Sequence, residues 1–260
     1  MMRNKFKDKI RDREVALGTL VFTPSPTIIE LLGRAGFDFA IIDTEHAPMS
    51  PYDMTLIENM VRAAQISDIV PLVRIPKLSR VMTQKVLDAG AQGIMVSGIR
   101  TKDDAIQAVK NSKYPPEGNR GCCYLTRPAG YSAAYDEGYW ALANQYTIVA
   151  PLLENKEAVD NIEEIVVVEG LDYISFGPRD FSMSLGYTNT NNPETIQARE
   201  HIEKICRNNN VPMDRFLYPP FDVSVKKAIE DGSRILIAGA DVGLFVQICK
   251  KLVNTVEEYS

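Results

Sequence analysis

Histidine is nearly absent from these 260 residues; the two present are His46 and His201. Cysteine is sparse as well. Cys122, Cys123, Cys206 and Cys249 form no C-x-x-C pair, which excludes a zinc knuckle or a thioredoxin-like redox motif. A bridge between the adjacent Cys122 and Cys123 would be strained, so reduced thiols in a reducing compartment are the simplest account. No apolar run approaches the roughly 18 residues that a membrane span requires. Residues 1–14 alternate basic and acidic side chains and lack the apolar core of a signal peptide, so a cytoplasmic location is expected. Positive charge is not in excess either. Against 34 acidic residues stand 29 basic ones, a net charge of −5, which argues against a nucleic-acid partner and offers no attraction to a membrane.

What is present is regular. Apolar content is 45%, enough for a substantial core, and the length suits one large domain or two small ones. β-Branched runs that read as buried strands alternate with segments of helical spacing. Strands are expected at 15–22, 39–43, 69–73, 93–96, 146–153, 173–176, 211–218 and 234–238. Helices are expected at 5–13, 27–34 with Thr27 as cap, 51–65, 79–88, 102–111, 156–167, 193–209, 223–230, and 241–257 with Asp241 as cap. The stretch 113–135, rich in proline and glycine, reads as a long functional loop. Strands joined by helices must be parallel. Eight such units in one chain predict a (β/α)8 barrel as a single domain over residues 1–260. A doubly wound open sheet is the rival, but no Gly-rich phosphate fingerprint follows the first strand.

In such a barrel the active site lies where the strands end, so polar residues just past strand ends are the candidates. The apolar run Phe39-Ala40-Ile41-Ile42 breaks into Asp43-Thr44-Glu45-His46-Ala47-Pro48. Arg74 follows strand three, Glu154 follows strand five, and Asp180 stands four residues past strand six. Glu154 and Asp180 can hold a hard divalent cation such as Mg²⁺ or Mn²⁺; the competing reading makes each a helix cap. Arg74 offers a planar fork for a substrate carboxylate or an oxyanion, or an ion pair with Asp43 or Glu45. His46 suits acid/base work near neutral pH, or a structural hydrogen bond. His201 sits on a charged helix face and reads as solvated. Arg120 is expected to anchor the long loop. A metal, an arginine and an acid/base together suit enolate chemistry on a 2-oxo acid.

These residues resemble the HpcH/HpaI aldolases. The matching runs are 36–48, then Pro71-Leu72-Val73-Arg74, Tyr114-Pro115-Pro116 to Arg120-Gly121, and Phe176-Gly177-Pro178-Arg179-Asp180 with Leu185-Gly186-Tyr187. The resemblance covers nearly the whole chain. It implies a barrel whose last helix is swapped between subunits, in a homo-hexamer built as a dimer of trimers. It implies Glu154 and Asp180 as metal ligands, His46 with Asp43 behind it as acid/base, and Arg74 as stabiliser of the substrate oxyanion. The backbone from Gly177 to Arg179 would hold the carboxylate of a 2-oxo acid, pyruvate or oxaloacetate. One position departs from the pattern: the family usually places Gln two residues before the metal-binding Glu, and here that residue is Leu152. The loop 121–128 also differs. A siderophore-associated branch of the superfamily condenses oxaloacetate with acetyl-CoA as a citrate synthase and works without metal. That reading stands beside the aldolase, and a non-catalytic dicarboxylate-binding barrel is the third alternative.

Overall fold

The computed structural model describes residues 3–133 and 138–260; the last two positions of the expected 113–135 loop lie outside the described residues. Eight parallel strands form a barrel with helices around it. They are β1 (Ala16–Val21), β2 (Phe39–Asp43), β3 (Val70–Ile75), β4 (Gly93–Val96), β5 (Ile148–Leu153), β6 (Ser175–Phe176), β7 (Asp214–Phe216) and β8 (Ile235–Ala240). Hydrogen-bonded neighbours run β6-β5-β4-β3-β2-β1-β8-β7. A single bridge between Ile174 and Met213 joins β6 to β7 and closes the barrel. The fold is the expected (β/α)8 barrel.

Strand residues alternate in direction, so each strand feeds two cores. The lumen takes Phe39 and Ile41, Val70 and Leu72, Met95, Ile148, Ala150 and Leu152, Tyr173, Ile235 and Ile237. The intervening residues, such as Ala40, Ile42, Val73, Ile94 and Val149, face the helices. Both faces are buried, which is why the strands read as unbroken apolar runs. The short helix α1 (Lys5–Asp12) closes the N-terminal end, its Phe6 stacked on Phe39 with ring centroids 4.0 Å apart. Gly18 leaves room for that ring: a Cβ there would stand 2.3 Å from it.

The helices follow the expected order, with corrections at their ends. α2 (Pro26–Arg34) is capped by Ser25 rather than Thr27, because Pro26 already occupies the first turn. α3 (Met54–Ile66) starts three residues late, capped by Asp53. α4 (Arg80–Asp88) and α5 (Lys102–Ser112) lie as expected, α5 with a full capping box on Thr101 and Asp104. The expected strand 146–153 begins only at Ile148. Before it runs a helix that the sequence did not reveal, α6 (Tyr139–Tyr146), whose N-cap Gly138 offers no side-chain cap. The expected helix 156–167 is split at Asn161 into α7 (Lys156–Asp160) and α8 (Ile162–Ile165). The run after β6, for which no element is expected before 193, is helical: α9 (Pro178–Ser184). α10 (Pro193–Asn208) and α11 (Phe221–Glu230) cover β7. α12 (Asp241–Tyr259) is capped by Ala240, not Asp241. The Asp241 carboxylate instead accepts from the backbone N–H of Phe22 at 2.8 Å and of Thr23 at 3.0 Å, tying α12 to the end of β1. Beyond that anchor α12 leaves its apolar side chains exposed, Phe245 by 71%.

Candidate active site at the barrel mouth

The lumen register that delivers apolar side chains low in the barrel delivers polar ones at its C-terminal mouth. Two residues on from Ile41 stands Asp43; two on from Leu72, Arg74; two on from Met95, Ser97; two on from Leu152, Glu154. Alternation at a period of two residues therefore builds the site. Arg74 lies inside β3 rather than after it, in register with Asp43 of β2, and both face the lumen.

Asp43 and Arg74 form a buried two-pronged pair. Arg74 Nε donates to Asp43 Oδ1 at 2.9 Å and a terminal nitrogen to Oδ2 at 2.5 Å, while Asp43 is fully buried. The other terminal nitrogen of Arg74 is 3.2 Å from Glu45 Oε2. That same oxygen accepts from the Ser97 hydroxyl at 2.7 Å and stands 3.8 Å from His46 Nε2. The ion-pair alternative for Arg74 is thus realised with both carboxylates, and the remaining N–H groups of the fork are what is left for a ligand. Asp43 does not back the His46 ring. It takes the backbone N–H of Glu45 at 2.9 Å and of His46 at 3.4 Å, because its outer edge is filled by Arg74. The imidazole is mostly exposed, and the carboxylate beside it is Glu45.

Across the mouth, Glu154 Oε1 accepts from the Gly98 backbone N–H at 2.8 Å. Gly98 has φ +73°, which glycine adopts without strain. Gly177 lies against the same carboxylate: a Cβ there would approach Glu154 Cβ at 3.1 Å and Oε2 at 3.7 Å. Burial pushes the Glu154 carboxyl up to about 7, and the charges of Glu45 and Asp180 push the same way, against the Gly98 hydrogen bond and Arg74. Neither Glu154 nor Asp180 is a helix cap. Asn155 caps α7, accepting from the Ala158 N–H at 3.0 Å, and Asp180 is the third residue of α9. Ser97 and Gly98 are site residues that strand-end reading missed; their signal was a Ser-Gly step directly after β4.

Three further expectations concern the carboxylate pocket. The Gly177 N–H is already committed to the Leu153 carbonyl at 2.8 Å, and Pro178 has none. The backbone donors near that turn are therefore those of Arg179 and Asp180, in the first turn of α9, where no side chain caps. Arg179 and Asp180 are exposed. Leu152 is buried in the lumen, its side chain 3.6 Å from the position of a Gly177 Cβ, so it forms an apolar floor under Glu154 and Gly177. His201 lies exposed on α10, away from these residues in the fold. Arg120 anchors its loop, donating to Asp88 at 2.7 Å with its guanidinium 4.4 Å above the Tyr114 ring.

This architecture has relatives. The model of the HpcH/HpaI aldolase/citrate lyase family matches residues 18–247. The chain belongs to that family. An HpcH/HpaI relative, a 5-keto-4-deoxy-D-glucarate aldolase of Escherichia coli, is 31% identical over 253 residues, covering 97% of this chain and 96% of its own. An aldolase/citrate lyase family protein of Burkholderia cenocepacia superposes with a TM-score of 0.89 at 28% identity, over 98% of this chain and 99% of its own. The citrate synthase SbnG superposes with a TM-score of 0.85, also at 28% identity, over 97% of both chains. As an HpcH/HpaI protein this chain is an enzyme of the aldolase type, a carbon–carbon lyase or synthase. Among the described residues no helix is long and apolar enough to cross a membrane.

Proposed function

We propose that the barrel, read as one domain over residues 1–260, is a divalent-metal-dependent aldolase that makes or breaks a carbon–carbon bond beside the enolate of pyruvate, taken from a 4-hydroxy-2-oxo acid. The observation that carries this reading is the Glu154 carboxyl at the mouth, raised to about 7 by burial first and then by the charges of Glu45 and Asp180. A cation would relieve that crowding. Among the described residues no three His, Cys, Asp or Glu side chains stand close enough to ligate an ion by themselves. Glu154 and Asp180 would hold a Mg²⁺ or Mn²⁺ ion, leaving positions for water and substrate, as suits these hard cations. Glu154 fits the part, with Oε1 held by Gly98 and Oε2 on the Gly177 side.

When bound, the metal would supply Lewis acidity to the substrate's oxo group. The chain's own residues do the rest. The free N–H groups of Arg74 face the charge that develops on the substrate oxygen, and the Asp43 pair fixes the fork in direction before substrate arrives. His46 stands at the rim within reach of water and of an acceptor's hydroxyl, where it takes or returns a proton, with Glu45 Oε2 3.8 Å from its Nε2. The first-turn N–H groups of Arg179 and Asp180 receive the substrate carboxylate above Gly177. Leu152 excludes water from below.

Leu152 and the raised Glu154 also favour a second reading, a citrate synthase condensing oxaloacetate with acetyl-CoA without metal. A carboxyl near 7 is itself matched to general acid/base work. One pair of assays separates the two. The aldolase reading expects pyruvate release from 5-keto-4-deoxy-D-glucarate or a shorter 4-hydroxy-2-oxo acid, dependent on Mg²⁺ or Mn²⁺ and abolished by EDTA. Thiol release from acetyl-CoA and oxaloacetate that survives EDTA would overturn it in favour of the synthase. The exposed apolar side chains of α12, Phe245, Ile248, Leu252 and Val256, support a partner subunit covering them in a homo-hexamer; light scattering of the purified protein tests the mass.

A further inference from the structure

The barrel has a seam. β6 and β7 are joined by the Ile174–Met213 bridge and by the Asp214 carboxyl against Ser175 and the Phe176 backbone, and above that bridge the two strands are not laddered. A crevice of about 200 Å³ opens there, under α10 and α11. Phe176, Met213 and Phe216 make its apolar wall, and Arg199, Arg215 and Lys227 bring cations to it. Arg215 is neutralised, since it pairs with Glu203 and Asp231 on either side. Arg199 is not. It is only partly exposed; burial and the repulsion of Arg215 work against its charge more than Glu203, Tyr218 and Glu200 support it, and among the described residues it has no hydrogen bond and no ion pair. Lys227 makes no ion pair among those residues either, and Glu230 is taken by the neighbouring Lys226 at 3.9 Å. The one carboxylate on the wall, Asp214, is fully buried, and its acid is pushed up to about 7 by that burial. Burial thus weakens it as a counter-charge to Arg199, while hydrogen bonds from Ser175 and the Phe176 backbone work the other way.

A guanidinium held half out of water with no acceptor costs stability that an anion would return. We propose that the seam crevice is a binding site for a small oxyanion, a carboxylate or phosphate group, gripped by the planar fork of Arg199 with Lys227 beside it and its apolar neighbours against Phe176 and Phe216. Arginine suits this because its fork matches either group through paired hydrogen bonds. Asn191, Thr190 and Ser224 line the same crevice and add neutral hydrogen-bonding groups. The site lies in the barrel wall, outside the cluster around Glu154 and Arg74, and does not depend on the reaction proposed for that cluster.

The test is thermal unfolding of the full chain at fixed ionic strength, with inorganic phosphate or malonate replacing chloride. The expected result is a saturable rise in Tm with at least one of the two probes. In Arg199→Gln the affinity for that probe should fall about tenfold or more, the effect of losing a charge-assisted pair. Lys227→Gln should weaken it less. Response to phosphate alone or to malonate alone identifies the source of the oxyanion. Without either probe, Arg199→Gln should be about as stable as the parent, since it removes a partly buried charge that burial and Arg215 disfavour. A rise that does not saturate, or that is the same in both variants as in the parent, overturns the proposal. If Arg199→Gln fails to fold, Lys227→Gln alone decides by the same criterion.

Discussion

The two sides of the barrel mouth are built from the same strand register and balanced in opposite ways. On the β2–β3 side, Arg74 stands between Asp43 and Glu45, and charge is matched at hydrogen-bond distance. On the β5–β6 side, Glu154 faces Asp180 and Glu45 with a backbone N–H for its nearest support. The first side is complete within the chain. The second is incomplete until protonated or given a cation. A matched buried pair orients, whereas an unmatched carboxylate is ready to bind or to titrate, and the proposed reaction would use both.

The largest effect should come from breaking the matched side. Arg74→Ala leaves the Asp43 carboxylate buried without its cation, held by the backbone N–H groups of Glu45 and His46, so stability should fall by about 3–5 kcal/mol. Turnover should fall about 100- to 1,000-fold through loss of an oxyanion donor. Urea unfolding and steady-state kinetics on the same preparation check both. Catalysis lost with stability unchanged would show that Asp43 finds another partner.

Breaking the unmatched side should have the reverse signature. Glu154→Gln should remove most turnover, yet the protein should be as stable as its parent or more so near neutral pH. The sign follows from linkage. Burial first, then neighbouring negative charge, raises the Glu154 acid from 4.5 to about 7. The folded chain thus holds this proton where the unfolded chain has lost it, and stability falls as pH rises from 4.5 to 7. In Glu154→Gln that segment of the pH–stability curve should flatten. Mg²⁺ or Mn²⁺ should raise the Tm of the parent above pH 7 and leave Glu154→Gln unmoved. An equal response of both proteins would remove Glu154 from the ligand set.

Much of this contrast was legible in the chain. The apolar runs ending in Asp43, Glu154 and the Gly177–Asp180 turn announce themselves, because burial on both faces leaves polar residues only where the strands end. What escaped was local. Arg74 looked like a residue past its strand because an arginine interrupts an apolar run; its charge is tolerated within β3 only because Asp43 lies in register beside it. α6 has no side-chain cap and follows a stretch dominated by proline and glycine signals. α9 is too short for a periodicity to show, and Gly177-Pro178 resembles a turn as much as a helix start. The pairing of Ser97 with Glu45, across 52 positions of sequence, leaves no trace in local pattern at all.

That pairing gives a finer probe of how the two sides communicate. Ser97 holds Glu45, and the next residue, Gly98, holds Glu154. Ser97→Ala should cost about 1 kcal/mol of stability, the worth of one hydrogen bond, and reduce kcat by less than Arg74→Ala does. A Glu45 released from Ser97 can turn further toward Arg74 and away from Glu154. The pH at which stability stops falling should then shift downward toward the ordinary carboxylate value. An unshifted profile would mean that Glu45 is held by Arg74 alone.

The smallest effect belongs to the second histidine, and it calibrates the rest. His46 and His201 are both exposed, so exposure alone does not separate them. Placement does. His46 follows a strand end and stands 3.8 Å from Glu45, whereas His201 is on the outer face of α10 between Glu200 and Ile202. His201→Ala should therefore leave kcat and KM unchanged and alter stability by no more than about 0.5 kcal/mol, as surface changes usually do. His46→Ala should lower kcat without matching loss of stability. Both follow from one premise: in a barrel, the end of a strand is chemistry and the outer face of a helix is solvent. A large kinetic defect in His201→Ala would break that premise, because α10 also roofs the Arg199 crevice and could then be coupled to the mouth through the β6–β7 seam.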